Sequence, residues 1–408
     1  TGKITPKQVV LISGTTSDSQ FKMSLLHWIN DGLMALFFFL LGLEIKREML
    51  AGELQDFSQT VPVVSAAIGG MIFPAVLFYL LNVDTDTAKG WGIPMATDTA
   101  FAVGILALLS SRVPSSAFAF LTALAIIDDI GAMLVIAIFY TDSISPEYLF
   151  LGVLTFITLL SFNKLGIRKG WVYLVGGLIL WVMLYKSGVH ATVAGIIVAF
   201  SVPARPKHES DWFIRKTQKL MNKFEKIEKD KSSDGTILGD VTQHRIVENV
   251  QEVAKKASTP LRRWEHALER PVALLVLPIF ALANAGIPVS PNTLTTIWND
   301  SLAGGIVIGL VIGKSLGIPL LAWVAIYFKL GRLPDNLTLK HVIGIGMLAG
   351  MGFTMSIFIA DLGFDEPDHL VAAKSGILVA SLIAGVSGWL WLRFFCNEEI
   401  NDTPERDL

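Results

Sequence analysis

SAFAFLTALAIIDDIGAMLVIAIFY, residues 116–140, carries no charge except two adjacent aspartates near its middle, Asp128 and Asp129. As a helix rising 1.5 Å per residue it would extend about 37 Å, enough to cross a bilayer's hydrocarbon core with room for tilt. A carboxylate at that depth is costly, and one that persists there usually lines an ion or proton path or pairs with another charge. Asp98, in PMATDTAFAVG (94–104), is a third acid in an apolar setting. Lys314, in GGIVIGLVIGKSLGIPLLAWVAIYF (304–328), places the opposite charge in another apolar run. The simplest reading is an ion-coupled membrane carrier.

Composition agrees with a membrane solvent. Of 408 residues, 52% are hydrophobic and 17% charged, and the mean hydropathy is +0.56, all unusual for a soluble domain. The 35 glycines and 17 prolines follow no collagen or disorder pattern. In lipid, glycine allows close helix packing, and both residues are tolerated at helix breaks that face protein or water. A formal charge of −2 gives no reason to expect a nucleic-acid partner. The one cysteine, Cys396, excludes an internal disulfide framework. No Cys/His cluster suits zinc or haem, and no glycine-rich phosphate loop is present. The reading therefore includes no cofactor, no catalytic residue, no nucleic acid and no obligate protein partner. The first long apolar segment carries Asp31, so it reads as a span and not as a signal peptide.

The fold expected is an all-α polytopic membrane protein with about eleven crossings. Their approximate cores are 24–43, 61–82, 91–110, 116–140, 147–163, 171–185, 189–203, 270–286, 302–327, 341–362 and 371–395. Basic residues concentrate near Lys46/Arg47, Arg112, Lys164/Arg168/Lys169, 204–263 and Lys329/Arg332/Lys340. Alternate loops, TDSISPE (141–147), 286–300 and DLGFDEPDH (361–369), carry no Lys or Arg. The positive-inside rule then places the basic set and the C-terminus (396–408) in the cytoplasm and, with an odd number of spans, the N-terminus outside. Residues 1–23 read equally as a short external β-hairpin, QVVLISG and QFKMS flanking TTSDS, or as a polar leader. The charged insertion at 204–263 reads as two helices around a turn, KSSDGTILGD, with Ile246, Val250 and Val253 near one side of the second. Its basic residues would meet anionic lipid headgroups or, as the mixed charge favours, form a solvated face.

Adjacent helical residues point about 100° apart, so Asp128 and Asp129 need not share one task. Either one faces a cavity and the other a neighbouring helix, or both flank a small hard cation such as Na⁺ or Li⁺. The alternative is a structural charge cluster. Burial favours a protonated carboxylate and a bound cation favours an ionised one, so protons and cations would exclude each other at such a site. Lys314 is the natural counter-charge, the alternative being snorkelling of its long stem. Pro94 and Thr97 suggest an interrupted helix with Asp98 near the break, against an ordinary N-cap at the membrane surface. Asp31 lies near an external surface or lines the cavity. Glu44 and Glu48, four apart in GLEIKRE, share a face and either attract cations at an access funnel or serve as ordinary helix-end charge. GIGMLAGMGFTMSIFIA (344–360), glycine-rich with Thr354 and Ser356, suggests a second interrupted helix or a glycine packing face. His190, in SGVHATVAG, titrates near neutral pH or is simply structural. ALANAG (281–286) reads as close helix packing, and Asp361 as facing the external surface.

In order along the chain, INDGLMALFFFLLGLEIKRE, ATDTAFAVG, AIIDDIGA, SGVHATVAG, LPIFALANAG, GKSLGI and GMGFTMSIFI resemble the NhaA family of bacterial Na⁺/H⁺ antiporters. The match runs from about residue 24 to 395, apart from the insertion. The resemblance implies export of Na⁺ or Li⁺ for protons, two protons per sodium ion and hence electrogenic, regulated by pH, through alternating access in the bacterial inner membrane. It gives Asp128 and Asp129 the places of the essential pair, with Asp129 the first choice for ion binding and Asp128 the partner of Lys314. It puts Thr97 and Asp98 at the crossing of interrupted helices, Asp31 in the cavity, and Glu44, Glu48 and His190 at positions tied to pH response. It further implies NhaA-like inverted repeats over 61–140 and 302–395 with discontinuous helices at 91–110 and 341–362. The helices of 141–203 and 264–301 would form an interface domain, 24–60 a first span with its cytoplasmic end, and the N-terminal hairpin a homodimer contact. Membrane lipid is the only other partner implied. The family's first helix would precede that hairpin and is not in this sequence, which starts at Thr1; the 204–263 loop is longer than the family leads one to expect.

Competing readings use the same acids differently: a proton-coupled symporter of organic solutes, a channel, or a non-transporting membrane protein. The last has no reason to bury three acids and a lysine.

Overall fold

The computed structural model describes residues 25–52, 57–141, 144–207, 210–229, 241–284, 286 and 300–396. The expected N-terminal hairpin, the 231–240 turn and the tail beyond 396 lie outside them. Helices are the regular structure of the described chain, with no strand among the described residues. Helices α1 (Leu25–Ala51), α2 (Phe57–Asn82), α3 (Thr99–Ala107), α4 (Ser115–Phe139), α5 (Pro146–Lys164), α6 (Gly170–Ser187) and α7 (Val193–Ser201) form the first part. α8 (Ser210–Lys229) and α9 (Val241–Ala257) make up the charged insertion. α10 (Pro260–Asn284), α11 (Ser301–Tyr327), α12 (Leu339–Ala349), α13 (Phe353–Gly363) and α14 (Pro367–Phe395) follow.

Eight of the described helices are long and apolar enough to cross a membrane, and α12 with α13, bent by 46° at a short break, makes up to nine. Two of the eleven expected runs, 91–110 and 189–203, are too short to qualify alone. In the first, a 3-10 segment, Asp86–Met95, gives way to extended backbone and then to α3. In the second, Gly188 ends α6 at a φ of 86°, a backbone that disfavours other residues, and helix resumes only at Val193. Local chemistry fixes the other ends. Pro146, Pro260 and Pro367 open their helices where a missing N–H does no harm, and the carboxylate of Asp300 accepts from the Leu302 amide at 2.8 Å. In the insertion, α8 and α9 pack on each other; Ile246 and Val253 are buried and Val250 is half-buried, on one side as the periodicity predicts.

The apolar core lies where α1, α4, α11, α13 and α14 meet. The most extensive packing is between α2 and α11. There, a Cβ on Gly69 would meet the Gly317 carbonyl oxygen at 2.1 Å, and one on Gly317 would meet that of Gly69 at 2.3 Å. Backbones this close need glycine on both sides. Gly317→Leu is therefore expected to destabilise the detergent-solubilised protein by at least about 1–3 kcal/mol, the usual range for overpacking. Thermal melting checks this, and an unchanged melting temperature would contradict the close approach. A π turn at Gly309–Gly313 immediately precedes Lys314, and such a turn re-aims the side chains that follow it.

Candidate ion-binding site

Two interrupted helices cross at the centre of the fold. The extended residues between the Asp86–Met95 segment and α3 meet the break between α12 and α13: the Asp98 amide donates to the Met351 carbonyl at 2.6 Å, and the Ser356 hydroxyl donates to the Ile93 carbonyl at 2.8 Å. Gly352 permits the approach, because a Cβ there would lie 2.2 Å from Ser356 Oγ and 3.0 Å from the Ala96 carbonyl oxygen. The crossing brings two helix N-termini and the C-terminus of α12 together inside protein, where their unpaired backbone groups need partners.

Asp98 serves the N-termini. Its Oδ2 accepts from the Thr354 amide at 3.0 Å and the Thr354 hydroxyl at 2.6 Å, while Oδ1 accepts from the Phe101 amide at 3.3 Å. One carboxylate thus caps α3 and α13, where its negative charge also meets the positive ends of both helix dipoles. Asp98 is an N-cap, and one buried within the protein. Asp98→Ala is expected to cost about 1–2 kcal/mol for each of the two caps, and Asp98→Asn, which keeps an acceptor, less; melting of the two variants side by side checks the order.

Thr97 serves the other end. Its hydroxyl has one proton and lies within reach of two acceptors, Ala349 O at 3.0 Å and Asp128 Oδ2 at 2.8 Å, while accepting from Lys314 Nζ at 2.9 Å. Lys314 Nζ also donates to Asp128 Oδ2 at 2.6 Å, and both side chains are fully buried. The snorkelling alternative for Lys314 therefore does not hold. Asp129, one residue on along α4, is buried as well, and its Oδ1 has no hydrogen-bond partner; the same is true of Asp128 Oδ1. With Asp128, Asp129 and Lys314 all ionised, the group carries one uncompensated negative charge in an apolar surrounding, which is costly. One proton or one small cation removes it. Carboxylate oxygens are the donors a hard alkali ion takes.

The remaining expected residues lie elsewhere. Asp31, in a π turn at Trp28–Leu33, pairs with the half-exposed His27 at 3.1 Å, near the start of α1. His190 Nε2 contacts the Tyr140 carbonyl at 2.6 Å, tying the end of α4 to the segment before α7. At the far end of α1, Arg47 contacts Glu48 at 2.5 Å and Glu265 of α10 at 2.7 Å, with Glu44 half-buried one turn earlier. Lys46 donates to the Phe200 and Val202 carbonyls, at 2.7 and 2.5 Å, satisfying the C-terminus of α7.

Thr354 and Ser356 stand out in the sequence as polar but without a role, and Glu265 carries no signal there. ALANAG is expected as close helix packing followed by a loop, and in the structure its Asn284 also bonds across to α1. Asp361, expected to face the external surface, is half-buried near the end of α13 and paired with Lys374 at 2.9 Å. The available signal was a matching acid and lysine in successive apolar runs.

Interrupted helices crossing beside a buried acid–lysine group, within a bundle of membrane-length helices, define a polytopic ion carrier. The chain belongs to the Na⁺/H⁺ antiporter 1 family, whose model matches residues 7–392. It is 48% identical over 377 residues to a Na⁺/H⁺ antiporter NhaA 1 of Saccharophagus degradans, covering 92% of this chain and 80% of that protein. It is 48% identical over 392 residues to a Na⁺/H⁺ antiporter NhaA 1 of Pseudoalteromonas atlantica, covering 94% and 82%. A Na⁺/H⁺ antiporter NhaA of Oleidesulfovibrio alaskensis is 46% identical over 376 residues, covering 92% and 83%.

Proposed function

We propose that this chain exports Na⁺, or Li⁺, in exchange for protons across the bacterial inner membrane, with Asp129 and Asp128 as the shared binding carboxylates. The observation that carries the reading is the buried Asp128–Lys314 pair beside Asp129, with one oxygen of each carboxylate unpartnered. Family membership supports the choice of ions.

The group's charge explains coupling. A sodium ion taken up by Asp129 displaces the proton that otherwise neutralises it. If Asp128 also turns to the sodium ion, Lys314 loses the carboxylate that holds its ammonium in an apolar surrounding and sheds the second proton, which leaves the sodium-loaded group one unit negative. Two protons then leave for one sodium ion, so the cycle moves net charge. Thr97 holds the pair in register, and Asp98 with Thr354 keeps the crossing intact as the site changes hands.

Eleven crossings follow if the 91–110 and 189–203 runs each count as one. Loop charge puts the α1 C-terminus and the chain's C-terminus in the cytoplasm. The units 61–140 and 302–395 act as inverted repeats that rock against interface helices from 141–203 and 264–301, exposing the site alternately to each side. Glu44, Glu48 and His190 carry the pH response, and the Arg47–Glu48–Glu265 contacts link α1 to α10 where the first two act. The protein works as a homodimer.

The test uses sealed proteoliposomes with a preformed acid-inside pH gradient. Adding Na⁺ or Li⁺ outside is expected to collapse the gradient, and choline is not. Equal responses to all three, or co-movement of protons with an organic solute, would overturn the exchange reading.

A further inference from the structure

A second polar group lies outside the central site. Asn30 Nδ2 donates to Asp361 Oδ2 at 3.2 Å, Asn284 Nδ2 donates to Asn30 Oδ1 at 2.8 Å, Lys374 Nζ reaches Asn284 Oδ1 at 3.4 Å, and Lys374 Nζ contacts Asp361 Oδ1 at 2.9 Å. These contacts close a ring that joins α1, α10, α13 and α14. Asn284 is 2% exposed, and the Asp361 and Lys374 side chains are each 13% exposed.

The ring sits in line with the central site. Thr354, Phe358 and Asp361 are spaced i, i+4, i+7 on α13 and so share one helix face. Thr354 touches Asp98 at the crossing, and Asp361 lies seven residues, about 10 Å, further along the axis. Between them Phe358 is fully buried against Phe38 and Phe280, with ring centroids 5.6 and 6.4 Å away. The face therefore runs from the site, past an aromatic plug, to the ring. Nothing in the central chemistry uses the ring, yet it pairs an acid with a lysine, each only 13% exposed, within the helical bundle, the same elements as the central group.

We propose that Asp361, with the side-chain oxygens of Asn30 and Asn284, is a second station for the transported alkali cation on the outward side of the site, and that the Lys374 ammonium is a tethered cation that occupies it when no ion is passing. The proposal rests on the exchange and orientation given above. The ammonium already marks a cation position, since it lies against one carboxylate oxygen and one amide oxygen. The three side chains offer the hard oxygen donors that Na⁺ and Li⁺ take. An ion passing the plug as Phe358 moves would displace the ammonium, which is long and flexible enough to swing to the nearby surface. The ammonium's return then expels the ion outward and restores a neutral ring, so the buried carboxylate is never left unpaired.

The test compares apparent KM for Na⁺ offered at each face of oriented proteoliposomes, for the full chain and for Asp361→Asn, Lys374→Gln and the exchanged pair D361K/K374D. Asp361→Asn is expected to raise the outer-face KM by about 10-fold, the scale of one contact to a charged group, while the inner-face KM changes less than about 2-fold and the maximal rate falls. Lys374→Gln keeps the carboxylate and removes its competitor, so the outer-face KM should fall and release should slow. The exchanged pair restores the ion pair but moves the carboxylate to another helix, so melting should recover while the outer-face KM stays raised. Unchanged outer-face constants in the first two variants, or a wild-type constant in the exchanged pair, would mean that the ring only ties helices together. Wild-type protein that moves no protons in response to Na⁺ would instead overturn the exchange reading itself.

Discussion

Asp129→Asn is expected to abolish sodium-coupled proton movement without unfolding the protein. Asparagine matches aspartate in shape but neither binds a proton in this range nor carries the charge that attracts a cation. Losing one contact between a charged carboxylate and its ion is worth about 1.5–3 kcal/mol, which weakens apparent sodium affinity by roughly 10- to 100-fold before the lost titration is considered. With no group left to exchange protons for sodium at that position, coupled transport disappears. Stability should change little, because Asp129 Oδ1 is buried without a hydrogen-bond partner to lose and the proton that neutralises the carboxylate in the absence of sodium already makes it as uncharged as asparagine. Proteoliposome exchange and detergent melting, run on the same preparation, check both halves. A variant that melts well below the parent would favour a structural role for Asp129, and one that exchanges normally would move the site to other acids.

Lys314→Met should have the opposite signature, a large loss of stability. Lys314 and Asp128 are both fully buried and joined at 2.6 Å. Methionine fills a similar volume but leaves Asp128 without its partner. Removing one member of a buried pair typically costs about 3–5 kcal/mol, because the other charge stays behind in low dielectric. The double variant Lys314→Met/Asp128→Asn removes both charges and should recover most of that loss. Melting of the two single variants and the double one gives the coupling energy directly. Independent, additive effects would show that the ion pair is not what stabilises this part of the fold. Thr97, which touches both partners, would remain to hold the crossing together.

The central site was legible because apolar spans leave few ways to accommodate charge. Asp128, Asp129 and Lys314 stand out against their neighbours, and the structure places Lys314 on Asp128 as the resemblance implied. Pro94, Thr97 and the glycines around Met351 marked both helix breaks. Sequence did not reveal that one residue, Asp98, caps two helices, since that depends on contact with Thr354, 256 positions away. Nor did it pair Asp361 with Lys374 and two asparagines. Asparagine is uncharged and raises no alarm in an apolar run, and only the packing of four helices shows that Asn30 and Asn284 face each other. The break within 91–110 is legible from Pro94 and Thr97, but that helix resumes only at Thr99 there and at Val193 in the 189–203 run is not, because hydropathy registers apolar length and not backbone continuity.

The central claim is that sodium and protons compete for the same carboxylates. The most direct measurement is the apparent KM for Na⁺ as a function of pH in sealed proteoliposomes. Competition requires the KM to rise as pH falls, approaching about tenfold per unit for each proton displaced, while saturating Na⁺ restores the rate. A KM that stays constant across the range in which the maximal rate changes would contradict it, because protons would then act at a site that sodium does not occupy.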